Sequence, residues 1–196
     1  MARSRFTDET GFSLAEVMIA SLLLCVGLVS LAQLFAISTR GNAAARSNTF
    51  TVILAQQKME QLRGLTWGFD TVGLPLTDTS TDLSAVGTQA GCPAPSGGSG
   101  TGLTPSPAGA LAANTGGWVD YLNPNGCVLS GGGSPPQGTM YIRRWSVEPL
   151  PTNPNNTLIL QVLVTRRTNR GNADAGNVAR LPEETRFMSV KTRKSK

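Results

Sequence analysis

The chain has 196 residues, with 17 Lys and Arg against 12 Asp and Glu for a formal net charge of +5, and it contains no histidine. The missing imidazole removes Ser-His and Cys-His nucleophile systems and imidazole-bound zinc sites, and the length leaves room for one small domain beside a membrane segment. Its 22 Gly and 12 Pro gather in the middle of the chain, where they predict loops rather than a continuous sheet.

Met1 to Gly11 reads as a short polar leader, too brief to fold. From Phe12 to Ile37 the only charge is Glu16, and the run exceeds the roughly 20 apolar residues that cross a bilayer. A buried helix of a soluble core usually keeps one polar face, whereas Leu22, Leu23, Leu24, Val26, Leu28, Val29, Leu31, Leu34 and Phe35 leave no such face. An ordinary secretory signal cut near Ser30, Ala32 or Ala36 is the alternative, and it leaves Glu16 unexplained. A carboxylate in hydrocarbon costs about 2.5 to 3.5 kcal/mol on insertion scales, so Glu16 calls for a cation. Its own apolar helix offers none; another chain can, and so can a free amine made by cutting. Gly11 is a permissive junction for such a cut, which puts a new ammonium on Phe12, one helical turn before Glu16.

The stretch Gly11-Phe12-Ser13-Leu14-Ala15-Glu16-Val17-Met18-Ile19-Ala20 closely resembles the cleavage and N-methylation motif of type IV prepilins and type II secretion pseudopilins. The resemblance implies that Gly11 is the last leader residue, Phe12 the methylated mature N-terminus, and Glu16 the carboxylate that pairs with a neighbouring subunit's Phe12 amine. Two positions depart from the family pattern: Ala15 stands where an aliphatic residue is more common, and the leader carries Asp8 and Glu9 beside Arg3 and Arg5. Arg3 and Arg5 are balanced by Arg40 and Arg46 beyond the run, so charge alone does not orient the span. The resemblance orients it, with the leader in the cytoplasm and everything after about Ile37 outside. It also implies an inner-membrane precursor, a pilus or cell-surface location once assembled, and a set of partners: a prepilin peptidase/methylase, other major and minor pilins, the inner-membrane assembly platform and membrane lipid.

Beyond the span the helical pattern continues. Val52, Ala55, Met59 and Leu62 form an apolar stripe, Gln56, Lys58, Glu60 and Gln61 lie off it, and Arg63-Gly64 ends it. A helix from Phe12 to about Gly64 has a length on the order of 75 to 80 Å; a break at Gly41-Asn42 is the alternative. The region 65–138 reads as loop, with Trp118-Val119-Asp120-Tyr121-Leu122 as an apolar island expected to pack rather than bind a ligand, followed by a turn at Asn123-Pro124-Asn125-Gly126. Residues 139–196 hold strand signals at Met140–Val147, Leu158–Thr165 and Arg186–Val190, with Glu148–Asn156 joining the first two as an antiparallel pair. The fold class expected is α+β: a long N-terminal helix, membrane-spanning over 12–37, packed on a small antiparallel sheet with a long Gly/Pro-rich loop region. The resemblance implies the same pilin-like architecture, and the Arg144-Trp145 strand is loosely similar to minor pilins of the pilus-modification type.

Cys25 lies in the span and acts as a small apolar residue. Cys92 and Cys127 lie in the loop region on the side the resemblance makes oxidising, and a disulfide between them is expected, restraining a glycine-rich segment with little core by about 2 to 4 kcal/mol. Asp70, Asp78 and Asp82 lack the spacing of a calcium loop and read as solvated carboxylates. No phosphate-binding glycine motif precedes a helix, so neither a cofactor nor a metal is expected and the chain reads as a non-enzyme. Arg143, Arg144, Arg166 and Arg167, with Arg170, Arg180, Arg186, Lys191, Arg193, Lys194 and Lys196, suggest contact with DNA, with Tyr141 or Trp145 stacking on a base; solvated sheet edges are the plainer reading. The function expected is a minor pilin or pseudopilin, in or at the tip of a pilus-like filament, that aids assembly or modifies the fibre. The alternatives are a DNA-binding competence-type minor pilin and a single-pass anchored binding protein that never polymerises.

Overall fold

The computed structural model describes residues 11–84, 91–97, 100–167 and 184–193. The leader before Gly11 and the basic residues Arg170, Arg180, Lys194 and Lys196 lie outside them. The chain divides into two compact units, one ending at Ala45 and the other beginning at Arg46.

The first unit is helical. Helix α1, Leu14–Gly64, begins with a reciprocal cap: the Glu16 backbone N–H donates to Ser13 Oγ at 3.2 Å, and the Ser13 N–H donates to Glu16 Oε2 at 2.9 Å. A Ser and a Glu three residues apart satisfy two of the N–H groups that a helix start leaves without intrahelical partners. The hydroxyls of Ser21, Ser30 and Thr39 donate back to the carbonyls of Met18, Val26 and Phe35, so these polar side chains are satisfied within the helix. The helix is long and apolar enough to cross a membrane, and none of its most apolar stretch is buried within the protein. That stretch, unlike the end of α1, therefore contributes nothing to the core of the described residues. The helix runs unbroken through Gly41-Asn42, which removes the two-helix alternative.

The second unit packs the end of α1 on antiparallel strands. A hairpin pairs β1 (Trp67–Phe69) with β2 (Pro75–Thr77), and a five-stranded sheet has the order β4-β3-β5-β6-β7, formed by β3 (Val119–Leu122), β4 (Val128–Ser130), β5 (Tyr141–Pro149), β6 (Thr157–Arg166) and β7 (Glu184–Thr192). β5 and β6 pair continuously from Tyr141↔Arg166 to Pro149↔Leu158. Alternation then sends Leu158, Leu160, Val162 and Val164 to the inner face, where they join Trp145, Val147, Leu54, Ala55, Met59 and Leu62 in one core. At about 25 cal/mol per Å² of apolar surface, this burial supplies the main drive for docking the helix.

Two expectations are corrected here. The packed face of α1 is Ser47, Thr51, Leu54, Ala55, Lys58, Met59 and Leu62, with Val52 39 % exposed, so the face is rotated from the expected stripe and includes Lys58. An acid on the sheet makes that position tolerable for a cation, a partner that periodicity cannot register. The region 65–138 is also not all loop, because it contributes β1 to β4. The island Trp118–Leu122 includes β3, whose four residues are all buried. The loops before β3 fold closely on one another: a Cβ on Gly100 would collide with Ser80 O, and Gly102, at φ +49, lies beside Leu103, whose N–H donates to Asp78 O at 2.7 Å.

The end of β7 ties the edges together. Lys191 Nζ donates to the carbonyls of Leu62, Arg63 and Leu65, satisfying acceptors at the C-terminus of α1. The Arg193 guanidinium stacks 3.5 Å over Trp67 and donates to Gly68 O, Leu76 O and Thr77 Oγ1, pinning the β1–β2 hairpin.

Candidate functional site

Gly11, Phe12 and Glu16 lie at the start of α1, all exposed, with Phe12 at 88 %. The capping box places Glu16 in the first turn with its carboxylate turned toward the chain's start, at the Ser13 amide. Beside the cation that a carboxylate in hydrocarbon calls for, the Ser13 N–H is a local donor that holds the Glu16 side chain in place.

Cys92 and Cys127 form the expected disulfide, with Cα atoms 5.4 Å apart, and Cys25 is free. The turn before Cys127 is built by Asn123, whose side-chain oxygen accepts from the amides of Asn125 and Cys127, each at 2.9 Å. Gly126, at φ +82, completes this turn against Phe50 and Leu54 of α1.

The loop carboxylates are engaged with their own chain. Asp70 accepts from the amides of Val72 and Leu74, Asp78 from Ser80 and Thr81, and Asp82 from Ser84. These bonds, the Thr81 hydroxyl first, hold the Asp78 carboxyl below its ordinary range. Among the described residues no group of three or more His, Cys, Asp or Glu could hold a metal.

The arginines proposed for phosphate contact are separated by the fold. Arg143 and Arg144 are 1 % and 4 % exposed, and strand alternation sends them to opposite faces of β5. Arg144 donates twice to Asn114 Oδ1, at 2.9 and 2.7 Å. Arg166 is half-buried and Arg167 exposed. Tyr141 and Trp145 are buried, at 7 % and 0 %, so neither offers a ring to a base. Arg143 and Arg144 therefore do not share an exposed face with Arg167.

Arg143 instead belongs to a buried ionic cluster that sequence reasoning missed. Asp120 Oδ2 accepts from Lys58 Nζ at 2.8 Å and from Arg143 Nε and NH2 at 3.0 and 2.7 Å, while Ser84 Oγ donates to Asp120 Oδ1 at 2.6 Å. Lys58 also donates to Leu83 O at 2.7 Å and sits 4.2 Å from the Trp145 ring centroid. Arg143 NH1 donates to Leu54 O at 3.2 Å. Burial pushes the Lys58 ammonium down to about 8, despite Asp120 beside it. Burial alone would raise the Asp120 carboxyl; Lys58 and Arg143 outweigh it and hold the acid below its usual range. One carboxylate on β3 thereby ties together the helix, the loop at Ser84 and β5. The signal in the sequence was a single acid inside the apolar island and an Arg-Arg pair inside an apolar strand, since charges in such runs are buried only when paired.

No protein-family model, curated protein or solved structure matches the chain.

Proposed function

We propose that the chain is a minor pilin or pseudopilin subunit, cut after Gly11, methylated on Phe12 and built into or at the tip of a pilus-like filament. The reading rests on one observation: the Gly11-Phe12 junction, with Glu16 in the first turn, opens directly onto an uninterrupted apolar helix whose far end carries a disulfide-bearing sheet domain. A helix with every side chain of its apolar run uncovered needs lipid before assembly and neighbouring helices after it. In this reading the Phe12 ammonium of an adjacent subunit meets Glu16 as the helices pack, and the cap that holds Glu16 in the first turn supports it. The precursor sits in the inner membrane with the sheet domain outside the cytoplasm, and its partners are the peptidase/methylase, the assembly platform and other pilins. Shearing cells and assaying the released filaments tests this. The subunit is expected with the other pilins in that fraction; its confinement to the membrane would favour an anchored protein that never polymerises.

A further inference from the structure

Asp120, the acid that pairs with both cations of the cluster, lies on the segment closed by the Cys92–Cys127 disulfide, whereas Lys58 on α1 and Arg143 on β5 lie outside it. β3, which carries Asp120, is lightly held on its outer side: it pairs with β4 only at Tyr121↔Ser130 and Leu122↔Val128, with a register shift between them. The connection from β3 to the disulfide is stiff by comparison, because Asn123 N–H donates to Cys127 O at 3.0 Å and Asn123 Oδ1 accepts from the Cys127 amide. At the other end of the closed segment, Ser96 bridges to β4 through Leu129 O and the Gly131 amide, each at 3.1 Å. The bond between Cys92 and Cys127 thus holds the β3–β4 edge in place from both ends of the segment.

We propose that this disulfide governs whether Asp120 stays seated between Lys58 and Arg143, and through that charge governs the docking of α1 on the sheet. The switching step is thiol–disulfide exchange with a dithiol. The dithiol gives up two electrons and two protons, the S–S bond breaks to leave a thiol on each of Cys92 and Cys127, and the reductant leaves as its own disulfide. The opened segment regains the conformational freedom that the cross-link removed, so β3 leaves the sheet more often. Each departure strips the counter-charge from two cations whose side chains are 0 % and 2 % exposed. Lys58 can shed a proton, but a guanidinium remains charged and must be rehydrated. Arg143 is bonded to Leu54 O, so water reaches it by lifting the helix face around Leu54 to Leu62. The effect is reciprocal: a docked helix holds Asp120, and Asp120 protects the disulfide edge. This inference does not depend on the filament reading.

Amide hydrogen exchange on the full chain in detergent micelles tests it, comparing oxidised protein with protein reduced by dithiothreitol. Reduction is expected to speed exchange in β3 and β4 and also, by about tenfold or more, at Leu54–Leu62 of α1, with β6 and β7 little changed. In Arg143→Met, where the cation that stays charged is removed and the Lys58–Asp120 pair stays, the acceleration in the helix is expected to shrink severalfold while that in β3 and β4 persists. Three results would each overturn the proposal: acceleration confined to the closed segment, equal acceleration in β6 and β7, and a helix response in Arg143→Met as large as in the native chain.

Discussion

Asp120→Asn is the most informative single substitution in the cluster. The amide keeps the shape and an acceptor for Arg143, but it removes the carboxylate charge that is paired with two buried cations. Breaking a buried pair in this way costs about 3 to 5 kcal/mol, a large share of the roughly 5 to 15 kcal/mol that keeps a domain folded. Lys58→Met is the matched contrast. It retains the apolar stem, leaves Arg143 bonded to Asp120 at 3.0 and 2.7 Å, and deletes an ammonium whose burial is costly. Against this, Leu83 O loses a donor, worth about 1 kcal/mol, so the net change is expected within about 1 kcal/mol of zero. Urea unfolding of the full chain in detergent micelles, followed by tryptophan fluorescence, reads both because Trp145 lies against the cluster. Asp120→Asn as stable as the native chain, or Lys58→Met as damaging as Asp120→Asn, would refute the assignment of the cluster as a charge-balanced lock.

The pH dependence has a definite sign. Lys58 titrates near 8 when folded against 10.5 as a free side chain, so the unfolded state binds more protons between these values and stability should rise with pH across that window. The rise should be absent in Lys58→Met. Asp120 works in the opposite range: its depressed folded value contributes stability above its ordinary 3.8 that is lost as pH falls through the folded value. Arg193→Ala removes the stacking on Trp67 and the bonds to Gly68, Leu76 and Thr77, so limited proteolysis should cut within 67–77 while β5 to β7 stay protected; unchanged cleavage would show that the hairpin is held by other contacts. Glu16→Ala should leave membrane insertion and processing intact but reduce recovery in sheared filaments, and normal recovery would remove Glu16 from assembly.

The parts legible in the sequence were those fixed by local pattern. The apolar run from Phe12 needed only its length, the β5 and β6 strands needed only β-branched alternation, and Cys92 and Cys127 were the two cysteines outside the span. The cap of Ser13 and Glu16 is also written locally, as a Ser and a Glu three apart at the head of the apolar run. Lys58 and Arg143 were misplaced for a different reason. Each is a charged residue whose burial depends on Asp120, far from Lys58 along the chain and on a strand too short to announce itself amid glycine and proline. β1, β2 and β4 are three residues each, below the length at which alternation carries a signal; β1 and β2 exist through their pairing and through Arg193, and β4 through its pairing with β3.

The central claim, that this is a filament subunit released by cutting after Gly11, is tested most directly by the intact mass and N-terminal sequence of the protein purified from membranes. The account expects a chain that begins at Phe12 and carries one methyl group on its amine. A chain that retains Met1 to Gly11, or one that begins beyond Ala36 as an ordinary secretory signal would leave it, would contradict the account.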